Sequence, residues 1–108
     1  MAKGILLVQT AAAEGREDEF HDWYNDVHLV DILKLAGFTS ARRFTQVGGE
    51  GGGTPHLAIY EIEADDLEAA QAGIGTAMAA GELRMSDVLA MDPPPSMVLY
   101  EQVAELQA

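Results

Sequence analysis

The sequence predicts an α+β domain with the element order βαββαβ, and three observations carry that expectation. Short runs rich in Ile, Leu, Val, Phe and Tyr recur at residues 4–10, 38–47, 56–63 and 97–103, and β-branched and aromatic residues in runs of that length read as strands. Two intervening segments carry apolar residues at the three- and four-residue spacing of a helix. Glycine or proline stands at most of the joints between them. At 108 residues and 48% hydrophobic content, residues 1–108 are expected to form one domain around one core.

The first strand is Gly4 to Thr10, which ends at the AAAEG stretch. From Arg16 to Ala36 the residues Phe20, Trp23, Tyr24, Val27 and Val30 share a helical stripe, and Gly37 supplies a stop. Phe38 to Val47 is the second strand. It runs into GGEGGGTP, a glycine-rich loop expected to be mobile. His56 to Glu63 is the third strand, pairing with the second as a hairpin. Asp65 and Asp66 open a second helix that ends at Gly81, with Gly73 and Gly75 weakening its middle. A short helical turn is expected near Ser86 to Ala90. Pro93 to Pro95 then enforce an extended link before the last strand, MVLYEQV.

That order is the ferredoxin-like arrangement, a four-stranded antiparallel sheet with both helices on one face. Strands with apolar side chains on both faces leave the other face in need of cover. A second copy of the same sheet is the simplest cover, so a homodimer is expected.

Charge limits the partners. Six Lys and Arg stand against 18 Asp and Glu, a formal net charge of −12, which repels polyanions, so neither nucleic acid nor an acidic membrane is expected to bind. Without cysteine there is no disulfide, thiolate nucleophile or thiolate metal site. The apolar run at the N-terminus is too short for a signal peptide or a membrane span, so a cytoplasmic location is expected.

The segment FHDWYNDVHLVD, Phe20 to Asp31, concentrates the chemistry. Tyr24 and His28 lie four apart on one helix face and Asp31 three further on, so a carboxylate stands where it can orient an imidazole and raise its basicity. Phe20, Trp23 and Tyr24 are read first as core packing, and Asp18, Asp22 and Asp26 as a solvated face. His21 is expected on the surface and His56 in a loop. Arg42 and Arg43 are adjacent on a strand, so one points to each face, and either is a candidate to hold a substrate oxygen. Tyr60, Tyr100 and Gln9 are polar-tipped strand residues that would line a pocket if they face inward. Histidines at 21, 28 and 56 give no metal-binding spacing. The glycine-rich loop lacks a phosphate-binding pattern and no nucleophile elbow occurs, so no metal and no cofactor is expected.

FHDWYNDVHLVDILKLAGFTSARRF, followed by PHLAIYEIEADDLEAA, GELRMSDVLA and LYEQV, resembles the EthD-like dimeric α+β barrel proteins, a group that includes methylmuconolactone isomerases. The resemblance implies a ferredoxin-like protomer dimerised sheet to sheet, with a pocket between sheet and helices. The family's WY…H pattern falls on Trp23, Tyr24 and His28, and its GF..ARRF segment on Gly37, Phe38, Ala41, Arg42, Arg43 and Phe44. Relatives carry proline where this chain has Val30 and Ala36, so its first helix is expected to run on unbroken. The heme-degrading branch carries an Asn on the first strand that this chain lacks, which sets that branch apart as a close match.

Together these readings point to a cofactor-free isomerase, cyclase or lyase that moves a proton on a carbonyl or lactone. His28 would be the base, Asp31 its orienter and Tyr24 or Tyr60 an oxyanion donor. Trp23, Arg42, Arg43 and Tyr60 would contact the substrate. The alternatives are a binding or stress-related protein that holds an apolar ligand, and a cofactor-free monooxygenase.

Overall fold

A computed structural model of the chain describes residues 1–48 and 53–108. Its elements are β1 (Ala2–Thr10), α1 (Glu17–Trp23), a π-helical turn (Tyr24–His28), α2 (Leu29–Ile32), β2 (Phe38–Thr45), β3 (His56–Ala64), α3 (Leu67–Ala79) and β4 (Ser96–Glu101). The strands form one antiparallel sheet in the order β2-β3-β1-β4, the ferredoxin-like topology. The centre of the glycine-rich loop, residues 49–52, lies outside the described residues.

Alternation along the strands sets the two faces. Leu6 and Val8 of β1 and Ala58, Tyr60 and Ile62 of β3 are buried against Phe20, Tyr24 and Ile32 on one side and Leu67, Ile74 and Ala77 of α3 on the other. Each large apolar side chain so buried contributes roughly 1.5–3 kcal/mol. Gly4 lies where β1, β4 and α3 converge. A Cβ there would run into the Tyr100 carbonyl oxygen and the Leu67 side chain. The opposite face carries Leu7 between Ile59 and Val98, and Ile5 beside Tyr100. Val98 and Tyr100 are about half exposed.

The first helix departs from expectation in two ways. It closes at Ile32 rather than Ala36, with Gly37 at φ +91° turning the chain into β2. It is also interrupted, because the Leu29 N–H donates to the Tyr24 carbonyl five residues back, the bond of a π-bulge. No proline causes this. α3 runs unbroken through Gly73 and Gly75, capped by the Asp66 carboxylate, which accepts from Ala69 N–H at 3.1 Å.

The short turn expected near Ser86 to Ala90 is present, closed by the Leu89 N–H donating to the Ser86 carbonyl, and it ends in an isolated bridge, Leu89 to Ala12. Val88 and Ala90 are hydrogen-bonded there to Ala13 and Ala11, and Arg16 reaches Asp87 at 2.9 Å. The α3–β4 connection is thus fastened to the β1–α1 loop. A β-bulge marks the start of β2, where the register shifts between Phe38 and Ser40. One extra residue inverts the alternation. Phe38 faces the helices, and so do Ala41 and Arg43, while Arg42 turns to the open face. Among the described residues, no helix is long and apolar enough to cross a membrane.

Candidate functional site

A cavity of about 130 Å³ lies between the sheet and the helices, lined by Val8, Thr10, Tyr24, His28, Ile32, Tyr60, Ile74, Met78, Pro95 and Met97. Most of these are apolar, and four polar tips enter the wall: Thr10, Tyr24, His28 and Tyr60. A groove of about 430 Å³ runs beside the start of α3, but it is open to solvent and lined by Asp65, Asp66, Glu68 and Glu101. The smaller cavity is the better candidate because it is more enclosed and holds convergent polar groups.

Two tyrosines form its floor. Tyr60 Oη donates to Tyr24 Oη at 3.3 Å, and both residues are 1% exposed. Burial raises the pKa of both phenols, so both stay protonated at neutral pH. Behind Tyr24, the Arg43 guanidinium sits 4.3 Å from the ring centroid and 5.4 Å from that of Phe20, and Arg43 Nη1 donates to Asn25 Oδ1 at 2.9 Å. Such a stack is the cation–π geometry. Burial lowers the pKa of Arg43.

His28 is held by aromatic contacts. Its ring stacks on Trp23 with centroids 4.8 Å apart and planes at 23°, and meets Tyr24 edge-on at 4.9 Å. Residues five apart lie on different sides of an α-helix. The π turn, whose hydrogen bond spans five residues rather than four, unwinds the helix enough to bring Trp23 and His28 onto one side. Among the described residues, His28 Nδ1 is a buried side-chain nitrogen without a hydrogen-bond partner. Burial pushes the imidazole down to about 4, with Asp31 opposing and Arg43 assisting the shift. At neutral pH His28 is therefore uncharged.

Asp31 does not hold His28. Its carboxylate accepts from Arg84 Nη2 at 2.7 Å, Arg84 Nε at 3.1 Å and the Arg84 backbone N–H at 2.9 Å, and Arg84 holds its carboxyl down to about 2. This corrects the expected His28–Asp31 unit. Arg84 engages the carboxylate with a bidentate fork plus a main-chain donor, so Asp31 acts on His28 only as a nearby charge. Trp23 joins the same residue, donating from Nε1 to the Arg84 carbonyl at 2.9 Å.

Of the two strand arginines, Arg43 faces the helices and Arg42 lies on the open face, 3.7 Å from Glu61. Arg42 is thereby removed from the cavity, and the bulge in β2 is the reason. Tyr100 and Gln9 face away from it too, on the open side of β4 and β1. His56 is not a loop residue: it begins β3, is 6% exposed, and shares a hydrogen bond with Thr45 Oγ1 at 3.0 Å. His21 is half-buried against it, with ring centroids 4.8 Å apart. Asp18, Asp22 and Asp26 are exposed as expected. Sequence reasoning missed Arg84, Thr10, Met78 and Met97. Arg84 was the legible one, being one of only six cations in a chain with 18 acids.

No family model matches the chain, and no curated protein matches it in sequence. Solved structures do match it. The heme-degrader MhuD from Mycobacterium tuberculosis, solved with two hemes bound, shares the fold at a TM-score of 0.69 and 20% identity, over 96% of this chain and 99% of that one. A Streptomyces coelicolor monooxygenase in complex with nanaomycin D matches at a TM-score of 0.64 and 16% identity, over 99% and 92%. An EthD family protein from Bacillus halodurans matches at 0.55 and 16%, over 95% and 100%. These likenesses establish a shared ferredoxin-like α+β fold, with the EthD resemblance holding at that level. The missing first-strand Asn does not set the fold apart from a heme degrader.

Proposed function

We propose that the chain is a small-molecule enzyme that transfers a proton within a compact apolar carbonyl compound or lactone, as an isomerase, cyclase or lyase. The observation that carries this reading is the meeting, in one apolar cavity, of a neutral imidazole and a pair of protonated phenols. His28 takes the proton from the carbon beside the carbonyl. Tyr24, whose hydroxyl oxygen accepts from Tyr60 and leaves its own O–H free, donates a hydrogen bond to the oxygen on which charge develops, and the Arg43 cation behind Tyr24 favours that charge. His28 then returns the proton to another carbon, or a leaving group departs. Trp23 sets the place of the imidazole. Asp31 acts at one remove, through Arg84.

Heme does not suit this cavity. Its volume of about 130 Å³ is below the roughly 300–1,000 Å³ typical of drug-sized ligands, and a heme is larger still.

The second reading is a cofactor-free monooxygenase, favoured by a monooxygenase among the fold neighbours and by the aromatic rings of Trp23 and Tyr24 packed around His28. Here a phenolic substrate with an adjacent CH₂ loses a proton to His28 and reacts with O₂. One oxygen atom enters as a carbonyl and the other leaves as water. Oxygen uptake during turnover separates the two readings: none is expected for proton transfer, and one O₂ per product for the oxygenase. A protein that binds such compounds and converts none would be the holder of an apolar ligand.

The open sheet face is proposed as the surface of a homodimer, in which two copies bury Leu7, Ile59, Val98 and their neighbours against each other.

A further inference from the structure

Arg84 stands outside the cavity, yet it ties together two neighbours of His28, Trp23 and Asp31. Its guanidinium and its backbone N–H both grip Asp31, which is 5% exposed, while its own side chain is 60% exposed. Its carbonyl receives the indole N–H of Trp23, and that indole is the plate on which His28 lies. The connection after α3 is thereby locked to the helix on both sides of the π turn. From this geometry we infer that Arg84 is a positioning residue for His28, acting through Trp23, with Asp31 as its anchor. The inference rests on the proposed role of His28, but it is tested on the free protein, so failure of either can be told from failure of the other.

The groups facing His28 are Asp31, Arg43, Tyr24 and the Trp23 plate, with Tyr60 across the cavity. Their charges allow a discriminating experiment. Removing the Asp31 carboxylate takes away a negative charge, and through-space electrostatics alone then moves the His28 titration further down. Loosening Arg84, and with it Trp23, lets water reach the imidazole, and the titration moves up. The two effects have opposite signs in Asp31→Asn.

The experiment is an NMR titration of His28 in the wild type, Asp31→Asn, Arg84→Gln and Trp23→Phe, each checked for folding by its melting curve. The expected result is an upward movement in all three variants, from about 4 toward 6.5, by about half a unit or more. A downward or unchanged midpoint in Asp31→Asn overturns the inference, and so does an unchanged one in Trp23→Phe, which alters no charge. Should a variant not fold, the wild type still decides. Trp23 is the only tryptophan, so its fluorescence is expected to change with the same midpoint as His28. Emission that ignores the His28 titration overturns the stack on which the inference stands.

Discussion

The Trp23 indole and the His28 imidazole lie stacked with centroids 4.8 Å apart although five residues separate them. The π turn that allows this contact also buries the imidazole Nδ1, and that burial keeps the ring uncharged at neutral pH and in place in the cavity wall. If His28 is the base, His28→Ala lowers turnover by roughly two to four orders of magnitude and leaves the fold intact. A loss of about 1–3 kcal/mol in stability, with activity per folded molecule unchanged, is the signature of a packing residue instead. Rate and melting temperature measured on one sample distinguish the two.

The paired phenols predict a non-additive stability. Tyr24→Phe leaves the buried Tyr60 hydroxyl without its acceptor and is expected to cost about 1–3 kcal/mol. Tyr60→Phe removes the donor in the same way. The double variant leaves neither group stranded, so its cost by chemical denaturation is expected to fall below the sum of the single costs. Strict additivity contradicts the 3.3 Å contact.

Acid stability follows from the shifted groups. His28 titrates near 6.5 unfolded and near 4 folded, so between those values the unfolded chain binds the extra proton. The stability His28 contributes is complete above pH 6.5 and is lost as pH falls to 4, on the order of 3 kcal/mol in all. His56, lowered mainly by burial, acts in the same direction. Asp31 adds a second loss as pH drops from 3.8 through about 2. Unfolding free energies measured from pH 7 to pH 4 are expected to decline in the wild type and to decline less in His28→Gln.

Much of the fold was legible because its periodicities are strong. The four strands and α3 follow from alternation, apolar spacing and the Asp66 cap. What the sequence hid were two single-residue irregularities, the π turn at Tyr24–His28 and the bulge between Phe38 and Ser40. Neither is marked by proline or glycine. Each shifts a register by one residue, and each decided a site assignment: the bulge turned Arg43 rather than Arg42 toward Tyr24, and the π turn set His28 on Trp23. The Asp31–Arg84 clamp spans 53 positions, and no local pattern announces a pair that distant.

The apolar open face predicts self-association. Sedimentation at micromolar concentration is expected to give twice the 11.5 kDa chain mass. Leu7→Glu, placed between Ile59 and Val98, is expected to give the single-chain mass with secondary structure retained. A wild type that sediments as one chain contradicts the proposed dimer.

Proton transfer at His28 is tested most directly by hydrogen exchange, because exchange needs no knowledge of the final product. Aryl ketones and lactones that bind the protein are incubated in D₂O, and deuterium uptake at the carbon beside the carbonyl is followed by NMR with wild type and with His28→Asn. The account predicts uptake accelerated by the wild type and slowed by roughly two to four orders of magnitude in the variant, at unchanged ligand affinity. Equal uptake with the two proteins, for a ligand shown to occupy the cavity, contradicts it.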